Sequence, residues 1–197
     1  MTLTAKPPRP KRCRACRETF APAKSLQIAC SPKCALDLVA KKREAERKSI
    51  QQRERKELRV RKEKLKSRAD HLREAQSVIN RYVRLRDAHL GCVSCDKAPE
   101  WQGQWHASHF RSVGAAPHLR FNLLNIHKAC SVCNNHLSGN LMNYRPALVL
   151  RIGEERVEWL ESNHARAGFD IEYLKRLKRV FAKKCRRLEV RLQCSAA

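Results

Sequence analysis

The chain is short of acidic residues and has no long hydrophobic stretch. Its 197 residues include 19 Asp and Glu against 43 Lys and Arg, which gives a formal net charge of +24. Such an excess favours a polyanionic partner, and nucleic acid is the commonest one. No apolar run approaches the roughly 18 residues that cross a bilayer. The most basic stretch also lacks the bulky apolar stripe of a membrane-surface helix, so we expect no membrane partner.

Residues 1–10 lack the apolar centre of a secretory signal peptide, so we expect a cytoplasmic protein. Glycine and proline are absent between Pro32 and Gly91, where helix-forming residues dominate. The composition therefore predicts one helix from Ala35 to about Leu90. Residues 40–70 carry 14 Lys and Arg but only six Asp and Glu, with too few apolar residues for a coiled coil.

Two interpretations of this basic helix remain open. It is either a solvated single helix held by i,i+4 ion pairs or a rod that lies along a phosphate backbone. In the second case its candidate DNA contacts are Lys41, Lys42, Arg43, Arg59, Arg61 and Lys62.

Eight of the ten cysteines fall into two sets of closely spaced pairs. The N-terminal cluster is Cys13, Cys16, Cys30 and Cys34. The central cluster is Cys92, Cys95, Cys130 and Cys133. In a Lys- and Arg-rich chain without a signal peptide, this spacing favours two structural Zn²⁺ sites over disulfides. Cys185 and Cys194 lie outside both clusters and are predicted to be packing or free thiols.

The span between the central pairs carries a candidate catalytic histidine. Phosphodiester hydrolysis needs an activated water, neutralised phosphoryl charge and a stabilised leaving oxygen. His109, in a predicted strand, is the candidate general base. Arg111 would share its strand face and contact phosphate. Asn125 is positioned to buttress the base or its loop, while Arg120 and Lys128 are further candidate DNA contacts.

The ligands of a catalytic Mg²⁺ or Mn²⁺ are less well defined by the sequence. Asn134 follows the last cysteine directly, at the start of a predicted helix, and His136 and His106 are further candidates. Two residues along a helix turn through about 200°, which separates Asn134 from His136. Strand alternation puts His106 on the face opposite His109. The ligand set therefore stays open.

The sequence predicts a mostly α-helical fold with a small zinc-stapled ββα-metal (HNH, treble-clef-like) domain. A strand is expected within Trp101–Phe110 and a helix from Cys133 to near Gly139. An amphipathic helix is expected over Glu154–His164, and a last helix over Ile171–Leu192 with Asp170 as its N-cap. The four predicted segments are a basic tail with the N-terminal zinc knuckle (1–34), the charged helix (35–90), the nuclease-like zinc domain (91–145) and C-terminal basic helices (146–197).

These motifs resemble the phage lambda NinG (Rap) recombination protein family over nearly the whole chain. The layout is also similar to the phage endonuclease VII type of junction resolvase. The chain departs from related nucleases at one point, because no acidic residue stands at or just before His109; the nearby positions are His106 and Ser108. The strings that carry the resemblance include Cys30-Ser-Pro-Lys-Cys34, His109-Phe-Arg111, Ala115-Ala-Pro-His-Leu-Arg-Phe-Asn122, Asn125-Ile-His-Lys128, Cys133-Asn-Asn-His-Leu-Ser-Gly-Asn-Leu141 and Glu161-Ser-Asn-His164.

The resemblance implies a structure-specific endonuclease that cuts branched DNA, such as Holliday junctions and D-loops, during phage recombination. It implies a place in the bacterial host cytoplasm near the nucleoid, with phage or host recombination proteins as partners. A symmetric cut in two strands would favour a homodimer. The alternative is a non-catalytic zinc-ribbon protein that binds DNA as a recombination or transcription adaptor.

Overall fold

The computed structural model describes residues 9–195, so the first eight residues of the predicted basic tail lie outside it. The chain is mostly helical, with two small antiparallel sheets of two strands each. It forms two compact units that divide after Leu65. Within the described residues, no helix is long and apolar enough to cross a membrane.

Unit 1 consists of a short hairpin and one long helix. Strand β1 (Lys11–Arg12) pairs with β2 (Thr19–Phe20), and helix α1 spans Pro32–Lys64. Ser31 caps α1 by accepting a hydrogen bond from the Cys34 backbone N–H at 3.2 Å. Helix α1 buries none of its residues, so local capping and side-chain pairs such as Glu44–Lys48 support it rather than packing.

The single helix expected from residue 35 to about 90 is two helices. Helix α1 ends at Lys64, and helix α2 spans Arg68–Arg86. Ser67 and Asp70 form a capping box: the Asp70 N–H donates to Ser67 Oγ at 3.2 Å, and the Ser67 N–H donates to Asp70 Oδ2 at 2.8 Å. These side chains satisfy backbone groups that a continuous helix would pair internally, and they start a new helix without proline or glycine.

Unit 2 contains the remaining elements. A central hairpin pairs strand β3 (Trp105–His109) with strand β4 (Ile126–Cys130) in antiparallel register, with His109 opposite Ile126 and Trp105 opposite Cys130. After α2 the elements in order are β3 (Trp105–His109), a 3₁₀ turn (Pro117–Leu119), β4 (Ile126–Cys130), a π-helical turn (Val132–His136), α3 (Leu141–Ile152), α4 (Glu154–Ser162) and α5 (Ile171–Ser195).

The structure changes the bounds of three elements expected from the sequence, all in unit 2. The strand is confined to Trp105–His109, the second half of the predicted segment. The helix expected after Cys133 is one π-helical turn that ends at His136. Helix α3 begins at Leu141 and runs past residue 145, where the sequence placed a domain boundary. Pro146 lies inside this helix, in its second turn.

The hairpin contributes to two hydrophobic clusters. On the side of the central cysteines, which is called the zinc side below, Ala129 and Cys130 join a cluster formed with α3 and α4. On the helix side, Ile126 joins a cluster formed with α2 and α5. The buried zinc-side residues include Phe110, Leu119, Tyr144, Leu148, Val157 and Leu160, and those on the helix side include Ala75, Ile79, Val83, Phe121, Leu174 and Phe181.

Helix α5 packs against α2, as the edge-to-face contact of Tyr82 with Phe181 at 4.9 Å illustrates. Asp170 Oδ1 accepts a hydrogen bond from the Tyr173 N–H at 2.6 Å, which confirms the predicted N-cap. Cys185 is buried on this interface, as expected of a packing thiol, and Cys194 is exposed.

Candidate metal centres and active site

The central cluster brings four thiols together at the end of the hairpin. Cys92, Cys130 and Cys133 are buried and Cys95 is half-buried, with all four sulfurs within 4.8 Å of one another. Backbone N–H groups point at the sulfurs: Cys130 N–H donates to Cys92 Sγ at 3.2 Å, and Cys133 N–H donates to Cys130 Sγ at 3.4 Å. Such bonds stabilise thiolate ligands.

The N-terminal cluster has the same ligand set in a more open setting. Its four sulfurs also lie within 4.8 Å of one another, but only Cys13 is buried; Cys30 and Cys34 are half-buried and Cys16 is exposed. Hydrogen bonds, above all from the Cys16 backbone, lower the pKa of Cys13 to about 6. A side-chain hydrogen bond with Cys34 is the main cause that raises the pKa of Cys30 to about 12.

Both clusters fit Zn²⁺ and exclude disulfides. The sulfurs of Cys30 and Cys34 are 3.5 Å apart and those of Cys95 and Cys130 are 3.8 Å apart. A disulfide needs about 2.05 Å. A tetrahedral zinc site with Zn–S bonds of about 2.3 Å places its sulfurs about 3.8 Å apart. All ten cysteines are free in the structure, so the two clusters can each hold one zinc ion.

His109 ends strand β3 with a defined proton arrangement. Its Nε2 lies 3.0 Å from the backbone carbonyl of Arg120. A carbonyl only accepts, so Nε2 carries the proton and the lone pair is on Nδ1. Burial lowers the pKa of His109, against the opposing effect of the Arg120 hydrogen bond. The ring is therefore neutral at pH 7, which is the protonation state of a general base.

Asn125 holds the chain just beyond His109. It is fully buried. Its Oδ1 accepts from the Arg111 backbone N–H at 2.8 Å, and its Nδ2 donates to the Arg111 carbonyl at 3.0 Å. A second bond from Nδ2 reaches the Leu119 carbonyl at 3.3 Å. Asn125 thus ties together the two ends of the 111–120 loop that supplies the carbonyl held by His109.

Three basic residues proposed to contact DNA have partners within unit 2. The strand ends at His109, so Arg111 does not share its face; its Nη1 donates to the Glu161 carbonyl at 3.1 Å. Arg120 is half-buried and bonds Gln76 at 3.1 Å. Lys128 is 3% exposed and its Nζ donates to the Ala88 carbonyl at 3.0 Å. The expectation that Lys128 contacts DNA is therefore wrong, because the residue is buried.

The candidate cation ligands come together only in part. Asn134 Nδ2 lies 3.2 Å from His106 Nδ1, so the π-helical turn and β3 bring these two side chains into contact. His106 Nε2 is buried without a hydrogen-bond partner. His136 is exposed at the end of the turn. Among residues 9–195, groups of three or more metal-ligating Cys, His, Asp or Glu side chains occur only as the two cysteine clusters.

A buried charge network next to the hairpin escaped the sequence reasoning. Arg86 donates to both oxygens of Asp87, at 2.6 and 2.8 Å, and to the Leu123 and Ile126 carbonyls at 3.0 and 2.8 Å. Asp87 in turn accepts from the Lys128 backbone N–H at 3.0 Å. The only sequence signal is an Arg-Asp pair at the end of a helix, which is too common to single out. The network fastens the end of α2 to β4.

The six basic residues of α1 proposed as DNA contacts are all exposed. They lie on a helix without a buried face, so nothing within unit 1 covers their charges.

The sequence matches a family model over both units. The model described as "Bacteriophage Lambda NinG protein" matches residues 5–191. The chain belongs to the NinG family. It is 43% identical to the NinG protein of Escherichia phage lambda, over 94% of this chain and 96% of that protein. It is 40% identical to the NinG protein of Salmonella phage P22, over 90% of this chain and 93% of that protein. No solved structure matches it significantly.

Membership in the NinG family covers both structural units, since the match begins before the N-terminal cluster and ends within α5. The resemblance expected from the sequence is thereby confirmed at the level of the family. The names of these NinG relatives state no reaction, so the chemistry rests on the side chains themselves.

Proposed function

We propose that this protein is a metal-dependent endonuclease that cuts branched DNA, such as Holliday junctions and D-loops. The observation that carries the proposal is the state of His109. Its Nε2–H is fixed by a backbone carbonyl and its Nδ1 lone pair is unshared, on a hairpin held by a four-cysteine cluster. A neutral imidazole fixed in this way is suited to take a proton from water.

The arrangement around His109 supports a ββα-metal type of site. An antiparallel hairpin is followed directly by a helical turn, and the central cluster contributes cysteines to both. In this scheme zinc does no chemistry; it fixes the strand that pairs with β3. Asn125 keeps the loop after His109 in place, so the base meets the phosphodiester in one orientation.

His106 and Asn134 would hold the catalytic Mg²⁺ or Mn²⁺. Asn134 Nδ2 donates to His106 Nδ1 at 3.2 Å, which leaves the ring proton on Nε2. The buried, unpartnered Nε2 would bind a cation with the ring proton moved to Nδ1 and the Asn134 amide oxygen turned to accept it. Two protein ligands leave the remaining positions to water and to the phosphate oxygens of DNA, both of which Mg²⁺ accepts, and the imidazole favours the softer Mn²⁺. When bound, the ion stabilises charge on the leaving oxygen. Ser108, where related nucleases carry an acid, is buried and adds no charge.

The family and the net charge support a proposal for where the protein acts and with what partners. A net charge of +24 suits a protein that works on DNA. We therefore propose that it acts in the cytoplasm of the bacterial host at the nucleoid, beside other recombination proteins. A homodimer would allow symmetric cuts in two strands.

A cleavage assay tests the function directly. The purified full-length protein should cut a labelled four-way junction in Mg²⁺ or Mn²⁺, cut the same sequence poorly as an unbranched duplex, and stop in EDTA. The non-catalytic adaptor is the second candidate, and the lack of a carboxylate beside His109 favours it. An adaptor would shift both DNAs in a gel without cutting either, and that result would reject the endonuclease.

A further inference from the structure

Helix α5 has two faces of opposite character. Leu174, Phe181 and Cys185 are buried and face α2. Each residue of a helix turns through about 100°, so the positions opposite these three point away from the core. Those positions carry five exposed cations, which we name the α5 stripe: Arg176, Arg179, Lys183, Arg186 and Arg187.

The cations of the α5 stripe are left without partners, unlike their neighbours. Lys175 pairs with Glu172 at 3.2 Å, and Lys178 pairs with Glu74 at 2.6 Å. Lys184 lies 4.9 Å from the ring centre of Phe181. Within residues 9–195, none of the five stripe side chains forms a hydrogen bond or an ion pair. Five unneutralised charges on one rigid face repel one another, so the stripe is destabilising unless an anion covers it.

We propose that the α5 stripe is a docking surface for the phosphate backbone of duplex DNA. This inference rests on the proposed function and adds to it the surface by which unit 2 holds a DNA arm. The stripe extends over eleven residue steps, or about 17 Å of helix. A duplex carries one phosphate charge per about 1.7 Å of its axis, so several phosphates lie within reach of the stripe.

The packing of α5 also argues for DNA over an anionic membrane. A helix that binds a lipid surface needs a free apolar face to insert below the headgroups. The apolar face of α5 is already buried against α2. Arg is well suited to phosphate because its planar guanidinium donates two parallel hydrogen bonds, and four of the five stripe residues are Arg.

The test is a comparison of two triple variants of the full chain. One replaces the centre of the stripe: Arg179→Gln, Lys183→Gln and Arg187→Gln. The matched control removes the same charge from exposed positions of unit 2 outside the stripe: Arg156→Gln, Arg166→Gln and Lys175→Gln. Affinity for an unbranched duplex and for a four-way junction is measured in EDTA over a range of salt, so that binding is separated from cutting.

The stripe variant should lose at least about tenfold in affinity at moderate salt for both DNAs, and its slope of log K against log salt should fall by up to about 2.7. The control should keep a slope within about one of the wild type. Equal losses in the two variants would mean that only net charge matters and would overturn the proposal. The proposal would also be overturned if the wild type bound DNA and the stripe variant kept the same affinity and salt slope.

Two further outcomes distinguish failure of the proposed function from a membrane-binding role of the α5 stripe. A wild type that binds neither DNA would refute the proposed function itself. Vesicles containing anionic lipid serve as a second probe, and binding that the stripe variant loses there, with DNA affinity unchanged, would assign the surface to a membrane. Zinc content and thermal melting of each variant verify that the substitutions leave the fold intact.

Discussion

The two cysteine clusters have the same four ligands but very different surroundings. In unit 1 the N-terminal cluster stands beside two strands of two residues each and an exposed helix. In unit 2 three of the central cysteines belong to a hydrophobic cluster that includes Tyr144 and Leu148. Both hydrophobic clusters of the described residues lie in unit 2. A zinc ion in the N-terminal cluster would take the place of a core in unit 1, whereas one in the central cluster would fasten a hairpin into a core that is already there.

This contrast explains why chemistry is expected beside only one cluster. A catalytic side chain must be held within a fraction of an ångström, which requires packed supports around it. Around His109, the Arg120 carbonyl, Asn125 and Tyr144 form such supports through buried and part-buried hydrogen bonds. Unit 1 has small strands and an exposed helix, which suit a docking role.

The largest effect should come from removing one ligand of each cluster. Cys130→Ser should release one zinc and abolish the cooperative melting of unit 2, because metal binding there is part of the folding free energy. Cys30→Ser should release one zinc but keep the melting of unit 2 and DNA cutting within about tenfold. Zinc content, melting by circular dichroism and the cleavage assay measure this. Cys194→Ser is the control and should change none of them.

If Cys130→Ser and Cys30→Ser melted identically, the two clusters would not differ in how much the folding of unit 2 depends on them. A wild type holding less than about one zinc per chain would go further and reject the zinc sites altogether.

The next largest effect separates chemistry from folding within unit 2. His109→Ala should keep both zincs and bind branched DNA, yet lose cutting by about 100-fold or more, as expected for a general base. His164→Ala, at an exposed histidine of the same unit, is the matched control and should cut normally. Full activity in purified His109→Ala would move the active site, with His106 the next residue to test.

A smaller effect should appear in the pH dependence of unit 2. Burial, and then the charge of Arg86, lowers the pKa of His127 to about 4, while a histidine in the unfolded chain titrates near 6.5. Between these values the unfolded chain binds a proton that the folded chain does not. The free energy of unfolding should therefore fall as pH falls from about 6.5 to about 4, by at most about 3 kcal/mol from this residue.

The variant His127→Gln isolates this contribution, because protonation of the zinc thiolates affects both proteins alike. Urea unfolding at several pH values should give a shallower pH slope for the variant. Parallel slopes would show that His127 does not titrate as its burial indicates.

The smallest effect concerns unit 1. Replacing Lys41, Lys42 and Arg43 by Gln should reduce the salt slope of DNA binding by up to about 2.7, while melting stays unchanged because α1 has no buried face. A matched change at Glu46, to Gln, should leave the slope the same or raise it slightly. Salt-independent affinity in the wild type would contradict a phosphate-binding role for either unit.

The sequence predicted best what depends on short spacing. Cysteine pairs with two or three residues between them specify a metal knuckle locally, and Asp170 at a helix start specifies its cap. The break before Ser67 contains no proline or glycine; its only signal is the Ser67–Asp70 capping box that starts α2. The burial of Lys128 was missed because strand position alone does not reveal that Trp105 and Ala88 cover its ammonium. Such coverage depends on residues distant in the chain.

The capping box at Ser67 has a consequence for how such a chain can evolve. Every residue of both hydrophobic clusters comes after it, and the second unit begins with its own start signal. Insertions, deletions or exchange of the preceding segment therefore leave the instructions for folding the second unit untouched. A gene organised in this way can exchange its first segment in one step and still encode every folding signal of the second unit.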